Sequence, residues 1–260
     1  MIKLIVSDID GTLVPTGSSK MDPEFIEVLK KVLNKNIMFC ACSGREYKAM
    51  QIMFPEVESK IYLSCQNGNV IFQDGNIIYH KPLDRMVAAE ILSDVISQDG
   101  CMCLISNNSG YYMIDRPGLA GELKEINFQF EVSLVQTLEQ VPGDINQLTL
   151  LKMGKAGEYI SYFTRRWSDK LHVMLSSVNC IDFCNMTKAD SIQYLCELLN
   201  IMPEEVMAFG DNYNDITMLE MVGSAYIMEN APRELLSKIP NQCSSVKKVI
   251  QSVILGDETV

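Results

Sequence analysis

The strongest constraint on the fold is a repeated alternation of short apolar runs with amphipathic segments. Residues 2–6 are apolar except for one lysine, and further apolar runs lie at 37–42 and 61–65. Runs without polar alternation are typical of strands that are buried on both faces. Between the first two runs, Asp22-Pro23-Glu24 combines an N-cap acceptor, a first-turn proline and an acidic side chain, which predicts a helix start. Strand, helix, strand in this order predicts a parallel sheet with right-handed crossovers.

The same rhythm returns near the C-terminal end, after a segment of different character. A hairpin is predicted at 70–80, with Asp74-Gly75 at its turn. The segment that follows mixes helices and strands, predicted at 84–98 and 154–168 (helices) and at 101–106, 110–114, 146–152, 171–176 and 180–184 (strands). Strands at 206–209 and 224–227 and helices at 189–199, 214–221 and after Pro232 then restore the first pattern. We therefore predict an α/β fold: a Rossmann-like parallel sheet core with helices on both faces, formed by residues 1–82 and 186–260, with an inserted α+β domain at 83–185.

Composition limits the compartment and the partners. The chain has 260 residues, of which 47% are hydrophobic and 21% charged, as in ordinary soluble globular proteins. It contains no apolar run of membrane-spanning length and no signal-peptide core before Asp8, so we expect a cytoplasmic protein with no membrane partner. The formal net charge of −11 disfavours nucleic acid. Nine cysteines without a Cys-x-x-Cys pair, together with two histidines, favour buried thiols over disulfides or zinc.

Four polar clusters lie at or beside predicted strand ends or helix starts. They are Asp8-Ile9-Asp10-Gly11-Thr12, Ser43-Gly44-Arg45, Lys188 and Gly210-Asp211-Asn212-Tyr213-Asn214-Asp215. In open parallel sheets, ligands bind at the carboxyl ends of the strands. The clusters together supply carboxylates, cations, hydroxyls and glycines, and this combination suits a magnesium ion beside a phosphate.

Each residue type has a clear chemical use at such a site. Magnesium prefers a few protein oxygen ligands, which Asp8 and Asp211 could supply. Ser43, Lys188 and the backbone amides near the glycines could bind a phosphoryl group. A carboxylate can attack phosphorus as a nucleophile, and a second acid can protonate the leaving oxygen. Taken singly, an Asp-x-Asp pair after a strand is more often a turn or cap, Ser-Gly-Arg is a very weak signal and a lysine at a helix start is usually solvated. The fourth cluster is equally compatible with a capped loop, so only the joint order of the four favours catalysis.

These motifs resemble those of the haloacid dehalogenase superfamily of phosphohydrolases, and in particular its Cof-type branch with an inserted α/β cap. "DIDGTL" at 8–13 is similar to the first motif, "CSGR" at 42–45 to the second, Lys188 to the third and "GDNYND" at 210–215 to the fourth. "QNGNVIF" and "ENAPREL" also resemble segments of this branch, so the resemblance extends over nearly the whole chain. Lys188 is followed by alanine where glycine is common, and Ser43 stands where threonine is more usual.

The resemblance implies a role for individual residues. Asp8 would be the nucleophile that becomes an aspartyl phosphate, and Asp10 the general acid and then base. Lys188 would hold the nucleophile and the phosphate together. The implied phosphate-binding residues are Thr12, Gly11, Ser43, Gly44 and Lys188; the metal ligands are Asp8, Asp10 through its main-chain carbonyl, and Asp211, with Asn214 and Asp215 supporting them; Arg45 and Asn67 are candidate substrate contacts. The inserted domain would act as a lid that selects the substrate.

The resulting hypothesis is a magnesium-dependent phosphatase that acts on small phosphorylated metabolites such as sugar phosphates, as a monomer or small homo-oligomer. A phosphomutase or phosphotransferase on the same fold is the alternative enzyme, because it uses the same residues. A non-catalytic regulatory binding protein is the alternative from another class. In the insert, Trp167 beside two arginines is more consistent with a helix surface than with a binding site.

Overall fold

The computed structural model describes residues 1–118 and 130–256. The chain divides into two compact units, one formed by Met1–His80 with Met186–Val260 and one by Lys81–Asn185. The second unit therefore begins two residues before the insert that the sequence predicts. Its role as a lid stays a prediction.

The first unit is built on an eight-stranded sheet. Its strands are β1 (Leu4–Ser7), β2 (Met38–Cys42), β3 (Tyr62–Cys65), β4 (Val70–Gln73), β5 (Asn76–His80), β12 (Val206–Gly210), β13 (Ser224–Met228) and β14 (Asn241–Cys243). They lie in the order β14-β13-β12-β1-β2-β3-β4-β5. The strands from β14 to β3 are parallel, and the β4–β5 hairpin continues the sheet antiparallel.

Helices cover this sheet on both faces. They are α1 (Pro23–Asn34), α2 (Tyr47–Gln51), α5 (Lys188–Leu199), α6 (Ile216–Met221), α7 (Arg233–Leu236) and α8 (Val246–Val249), followed by a π-helical turn at Ile250–Leu255. Successive residues of β1 show the two faces: Ile5 packs in one apolar cluster with Leu29 of α1. Leu4 packs in a second cluster with Ile192 and Leu195 of α5. Because every residue of β1 is buried, its apolar run has no polar alternation, and the predicted doubly covered parallel sheet is confirmed.

The helix starts follow the local sequence. Asp22 caps α1 by accepting a hydrogen bond from the amide of Glu24, 2.9 Å away, and Pro23 is its first residue, as the sequence predicts. Thr187 and Asp190 form a reciprocal capping box at α5, which places Lys188 in the first helical position. Helix α2 begins at Tyr47, because the side chain of Glu46 accepts hydrogen bonds from the amides of residues 48 and 49.

The second unit contains a six-stranded sheet with two described helices. The strands are β6 (Met102–Asn107), β7 (Gly110–Ile114), β8 (Val132–Val135), β9 (Gln147–Leu151), β10 (His172–Ser177) and β11 (Cys180–Cys184), in the order β10-β11-β9-β6-β7-β8, and the helices are α3 (Arg85–Ile96) and α4 (Ile160–Trp167). Strand β8 has no counterpart in the sequence prediction. Its four residues carry too short a pattern to separate from a loop, and it pairs in parallel with β7.

Two further expectations are settled by burial. Trp167 is only 2% exposed, and its indole Nε1 donates to Asp94 Oδ2 at 2.9 Å. The helix-surface interpretation was therefore wrong for the ring, although Arg166 and Lys170 do lie over it. The cysteines are free thiols, and all but Cys180 are buried.

Within the described ranges, no helix has both the length and the apolar character needed to cross a membrane.

Candidate active site

Three of the polar clusters follow three neighbouring parallel strands. Strand β1 lies between β2 and β12, and all three run in the same direction. Asp8 follows the last residue of β1, Ser43 that of β2 and Asp211 that of β12. Parallel strands end at one edge of the sheet, so the fold brings residues from positions 8, 43 and 211 together there.

Lys188 joins two of the site carboxylates. Its Nζ lies 2.5 Å from Asp8 Oδ1 and 2.6 Å from Asp215 Oδ1. The side chains of Lys188 and Asp215 are completely buried, and that of Asp8 is 7% exposed. A buried lysine is stabilised only by such charged partners. The lysine therefore fixes one oxygen of Asp8, whereas Asp8 Oδ2 is buried without a hydrogen-bond partner among the residues that the structure describes.

Asp215 also organises the loop that carries Asp211. Its Oδ2 accepts hydrogen bonds from the backbone amides of Asp211 and Asn212, both at 2.9 Å. With Oδ1 on Lys188, both oxygens of Asp215 are engaged. The role of Asp215 visible in the structure is therefore to hold the lysine and the loop in place, which is more than the metal support expected from the sequence.

Gly11 allows Asp211 to approach the first motif. The φ angle of Gly11 is 88°, and a Cβ atom built on it would lie 2.2 Å from Asp211 Oδ2, so any side chain at this position would displace the Asp211 carboxylate. Thr12 donates a hydrogen bond from Oγ1 to Asp211 Oδ1 at 3.1 Å. The glycine thus serves the close approach of a carboxylate as well as the tight turn.

The electrostatics of this cluster reflect crowded negative charge. Burial raises the pKa of Asp8 well above its ordinary value, against the opposing effect of Lys188. Burial and the charge of Asp215 raise the pKa of Asp211 to about 6. Burial disfavours the charged form of Lys188, but Asp215 and Asp8 outweigh this effect and raise its pKa above the usual value. The single positive charge of Lys188 does not neutralise the negative charge of the carboxylates around it.

The cluster fits a divalent cation. One oxygen from each of Asp8, Asp211 and Asp215 lies within 4.8 Å of the other two. Asp8 Oδ2 is a buried acceptor without a partner among the described residues. A hard cation with oxygen ligands would use this atom and offset the excess negative charge. The donor set therefore suits a divalent metal ion, and because both oxygens of Asp215 are engaged, Asp8 and Asp211 have the oxygens better able to act as direct ligands.

Asp10 is held by Arg45. The guanidinium donates from Nε to Asp10 Oδ2 at 2.7 Å and from Nη2 to Asp10 Oδ1 at 2.6 Å. The amide of Gly17 donates to the same Oδ1 at 2.9 Å. The sequence suggested Arg45 as a candidate substrate contact, but it did not predict this two-pronged pair, because the two residues are 35 positions apart.

The second cluster is tied to the fourth through Asn67. Ser43 is 2% exposed, and its Oγ accepts from the amide of Arg45 at 3.2 Å. Asn67 is completely buried, and its Oδ1 accepts from Asn214 Nδ2 at 3.0 Å. From the sequence, Asn67 was a candidate substrate contact through the family resemblance alone. The structure therefore shows this candidate substrate contact buried and bonded to the fourth motif, and its contact with a substrate stays a prediction.

Comparison with known proteins agrees with this geometry. A family model described as haloacid dehalogenase-like hydrolase matches residues 5–253. The chain belongs to the haloacid dehalogenase-like hydrolases. The resemblance inferred from the motifs is thereby confirmed, and the protein is a hydrolase of a family that includes phosphatases and phosphotransferases.

Individual family members are similar over almost their full length. A Citrobacter koseri protein named HMP-PP phosphatase is 24% identical over 253 residues, covering 93% of this chain and 89% of its own. A solved haloacid dehalogenase-like hydrolase from B. subtilis superimposes with a TM-score of 0.83 at 20% identity, covering 97% and 100% of the two chains. A haloacid dehalogenase subclass IIB sugar phosphatase gives 0.80 at 20% identity, covering 96% and 98%. The structural likenesses support the fold.

Replacing Asp211 by asparagine should stabilise the metal-free hydrolase at neutral pH. A folded-state pKa of about 6 against an unfolded value near 3.8 means that ionised Asp211 costs about 1–3 kcal/mol above pH 6. This cost falls to about half at pH 5 and vanishes below the unfolded pKa. We expect Asp211→Asn to raise the Tm in EDTA at pH 8 and to raise it less at pH 5.

Thermal denaturation of both proteins at the two pH values measures this difference. Added magnesium should stabilise the wild type more than the variant. A variant that is less stable than the wild type at pH 8 without metal would contradict the conclusion that the ionised Asp211 carboxylate destabilises the metal-free protein.

Proposed function

We propose that this protein is a magnesium-dependent phosphatase that hydrolyses small phosphomonoesters through an aspartyl phosphate on Asp8. The observation that best supports this proposal is that the two oxygens of the Asp8 carboxylate have different environments. One oxygen of Asp8 is fixed by Lys188, and the other is buried without a partner in the described parts of the chain. A carboxylate whose orientation is fixed by a lysine and whose second oxygen is open to a metal ion suits a nucleophile at phosphorus.

In the first step, a carboxylate oxygen of Asp8 attacks the phosphorus atom and the bond from phosphorus to the ester oxygen breaks. Asp10, in its acid form, gives its proton to the leaving oxygen, so that an alcohol departs. Ser43 and the amide of Gly44 would donate hydrogen bonds to the phosphoryl oxygens. Thr12 would join them by turning its hydroxyl away from Asp211, whereas the amide of Gly11, expected from the sequence to bind phosphate, already donates to the carbonyl of Val14 at 2.8 Å. Lys188 stays within reach of Asp8 and offsets the charge that gathers there.

In the second step, the Asp10 carboxylate accepts a proton from a water molecule while the water oxygen bonds to phosphorus. The bond between phosphorus and Asp8 breaks, orthophosphate leaves, and the carboxylate is restored. Arg45 holds Asp10 by both oxygens and limits the orientations from which it can exchange protons. Asp10 therefore exchanges protons with the leaving group and with water only in orientations that its pairing with Arg45 allows.

Asp8, Asp211 and the main-chain carbonyl of Asp10 would hold the magnesium ion. When bound, the ion would neutralise negative charge on the transferring phosphoryl group. The family relatives set the substrate classes worth testing. One is named an HMP-PP phosphatase and one similar structure is called a sugar phosphatase.

Phosphate release across a substrate panel tests the proposal. The panel should contain sugar phosphates, HMP-PP and p-nitrophenyl phosphate, each assayed with magnesium and with EDTA. We expect release in magnesium from at least one ester and a loss of at least about 100-fold in EDTA, since charge neutralisation at phosphorus is worth several kcal/mol.

Product analysis separates the alternatives. An isomeric phosphate in place of orthophosphate would favour a phosphomutase. Tight binding of a phosphorylated metabolite with no turnover of any ester would favour the regulatory binding protein.

A further inference from the structure

The turn between β3 and β4 has an unusual backbone. Gln66, Asn67 and Gly68 have consecutive φ angles of 51°, 56° and 97°, and all three residues are buried. Left-handed conformations at residues other than glycine are uncommon and strained. The contacts around the turn must therefore hold it in this conformation.

One set of contacts supports the loop after β2. The amide of Asn67 donates to the carbonyl of Ser43 at 3.0 Å, and that of Gln66 donates to the carbonyl of Arg45 at 2.9 Å. These two bonds flank Gly44. A Cβ atom built on Gly44 would lie 3.6 Å from Asn67 Nδ2, so the Asn67 amide packs directly beneath the loop.

A second set of contacts reaches two further clusters, the fourth motif and the helix start at Lys188. Asn67 Oδ1 accepts from Asn214 Nδ2 in the fourth motif. A Cβ atom built on Gly68 would lie 2.6 Å from the carbonyl of Thr187 and 2.9 Å from Ser191 Cβ. The turn is thus packed against the start of helix α5, where Lys188 lies.

We propose that Asn67 is a positioning residue that couples the phosphate-binding loop at 43–45 to the fourth motif. The left-handed turn aims two backbone amides at the carbonyls of the loop, and the Asn67 side chain spans from Gly44 to Asn214. A displacement of either element shifts the other through this side chain. The inference rests on the proposed function, because it assigns the Ser43–Arg45 loop to the phosphate.

The test uses orthophosphate as a probe whose binding does not need turnover. Its Kd is measured by calorimetry in magnesium, together with kcat and KM, for wild type, Asn67→Gly, Asn214→Ala and the double variant. Glycine accepts the left-handed backbone, so Asn67→Gly removes the side chain without adding strain. Asn36→Gly is the matched control, because Asn36 also has a positive φ, of 58°, but is exposed and follows α1.

We expect Asn67→Gly to raise the orthophosphate Kd about tenfold and to lower kcat about 10–100-fold, because small misplacements of binding groups cost this much. The double variant should be no worse than the more damaged single variant. Asn36→Gly should match the wild type. A merely structural loss would lower the active fraction and leave the Kd unchanged.

An unchanged Kd in Asn67→Gly would overturn the positioning role, and additive effects in the double variant would overturn the coupling to Asn214. Absence of phosphate release by the wild type is a separate result. It would refute the phosphatase, whereas the Kd comparison decides the positioning role in either case.

Discussion

Asp8→Asn is expected to abolish phosphate release, with kcat reduced by at least about 10⁴-fold, the range found when a catalytic nucleophile is removed. Asparagine has nearly the same shape, and Lys188 keeps its second partner, Asp215. The raised pKa of Asp8 means that a neutral side chain is tolerated here. The variant should therefore fold normally, which circular dichroism and thermal denaturation would check.

Trapping of the intermediate makes this prediction specific. Acid quenching after mixing with ³²P-labelled substrate should leave label on the wild type and none on Asp8→Asn. Asp10→Asn is the matched variant, because it removes the proposed acid and base but keeps the nucleophile. With a good leaving group such as p-nitrophenol, it should accumulate label. Phosphate release by Asp8→Asn at the wild-type rate would refute the nucleophile assignment.

Lys188→Met is expected to be the most destabilising single substitution in the site. Methionine leaves Asp8 and Asp215 buried without their shared cation, and breaking a buried ion pair by removing one partner costs about 3–5 kcal/mol. For a chain of this size this corresponds to a Tm reduction of roughly 6–20 °C. Differential scanning calorimetry in EDTA measures the effect without interference from bound metal.

Lys247 provides the control, because it also bridges two carboxylates but does so at the surface. Its Nζ lies 2.8 Å from Asp22 Oδ2 and 2.6 Å from Glu24 Oε2, with exposed partners. Lys247→Met should cost no more than about 1 kcal/mol. The double variant Lys188→Met with Asp215→Asn should recover part of the lost stability. Equal losses for the two lysine substitutions would show that burial does not govern the pair.

The parallel sheet could be predicted from the sequence because the patterns that indicate its strands and helix starts are local. The β1 run and the cap at Asp22 each depend on a few adjacent residues, and the structure reproduces both. Short elements at the margins, such as β8 and β14, carried no such signal. Their pairing with β7 and β13 depends on neighbours that are distant in the sequence or on tertiary packing.

The site divides in the same way. The motifs were enough to identify the family and to propose Asp8, Asp10, Lys188 and Asp211, since strand ends and residue types are written in the chain. The hydrogen-bond partners of these groups could not be predicted from the sequence. Arg45 on Asp10, Asp215 on Lys188 and Asn214 on Asn67 each join residues 27 to 147 positions apart.

The sequence by itself therefore determined which reactive groups this hydrolase has and at which edge of the sheet they lie, because both follow from strand order and residue type. The tertiary structure decided which of those groups pair, which are buried and which oxygen of Asp8 has no hydrogen-bond partner among the described residues. Hydrogen bonding and burial depend on distances of a few ångströms between distant segments, and only the packed fold sets those distances.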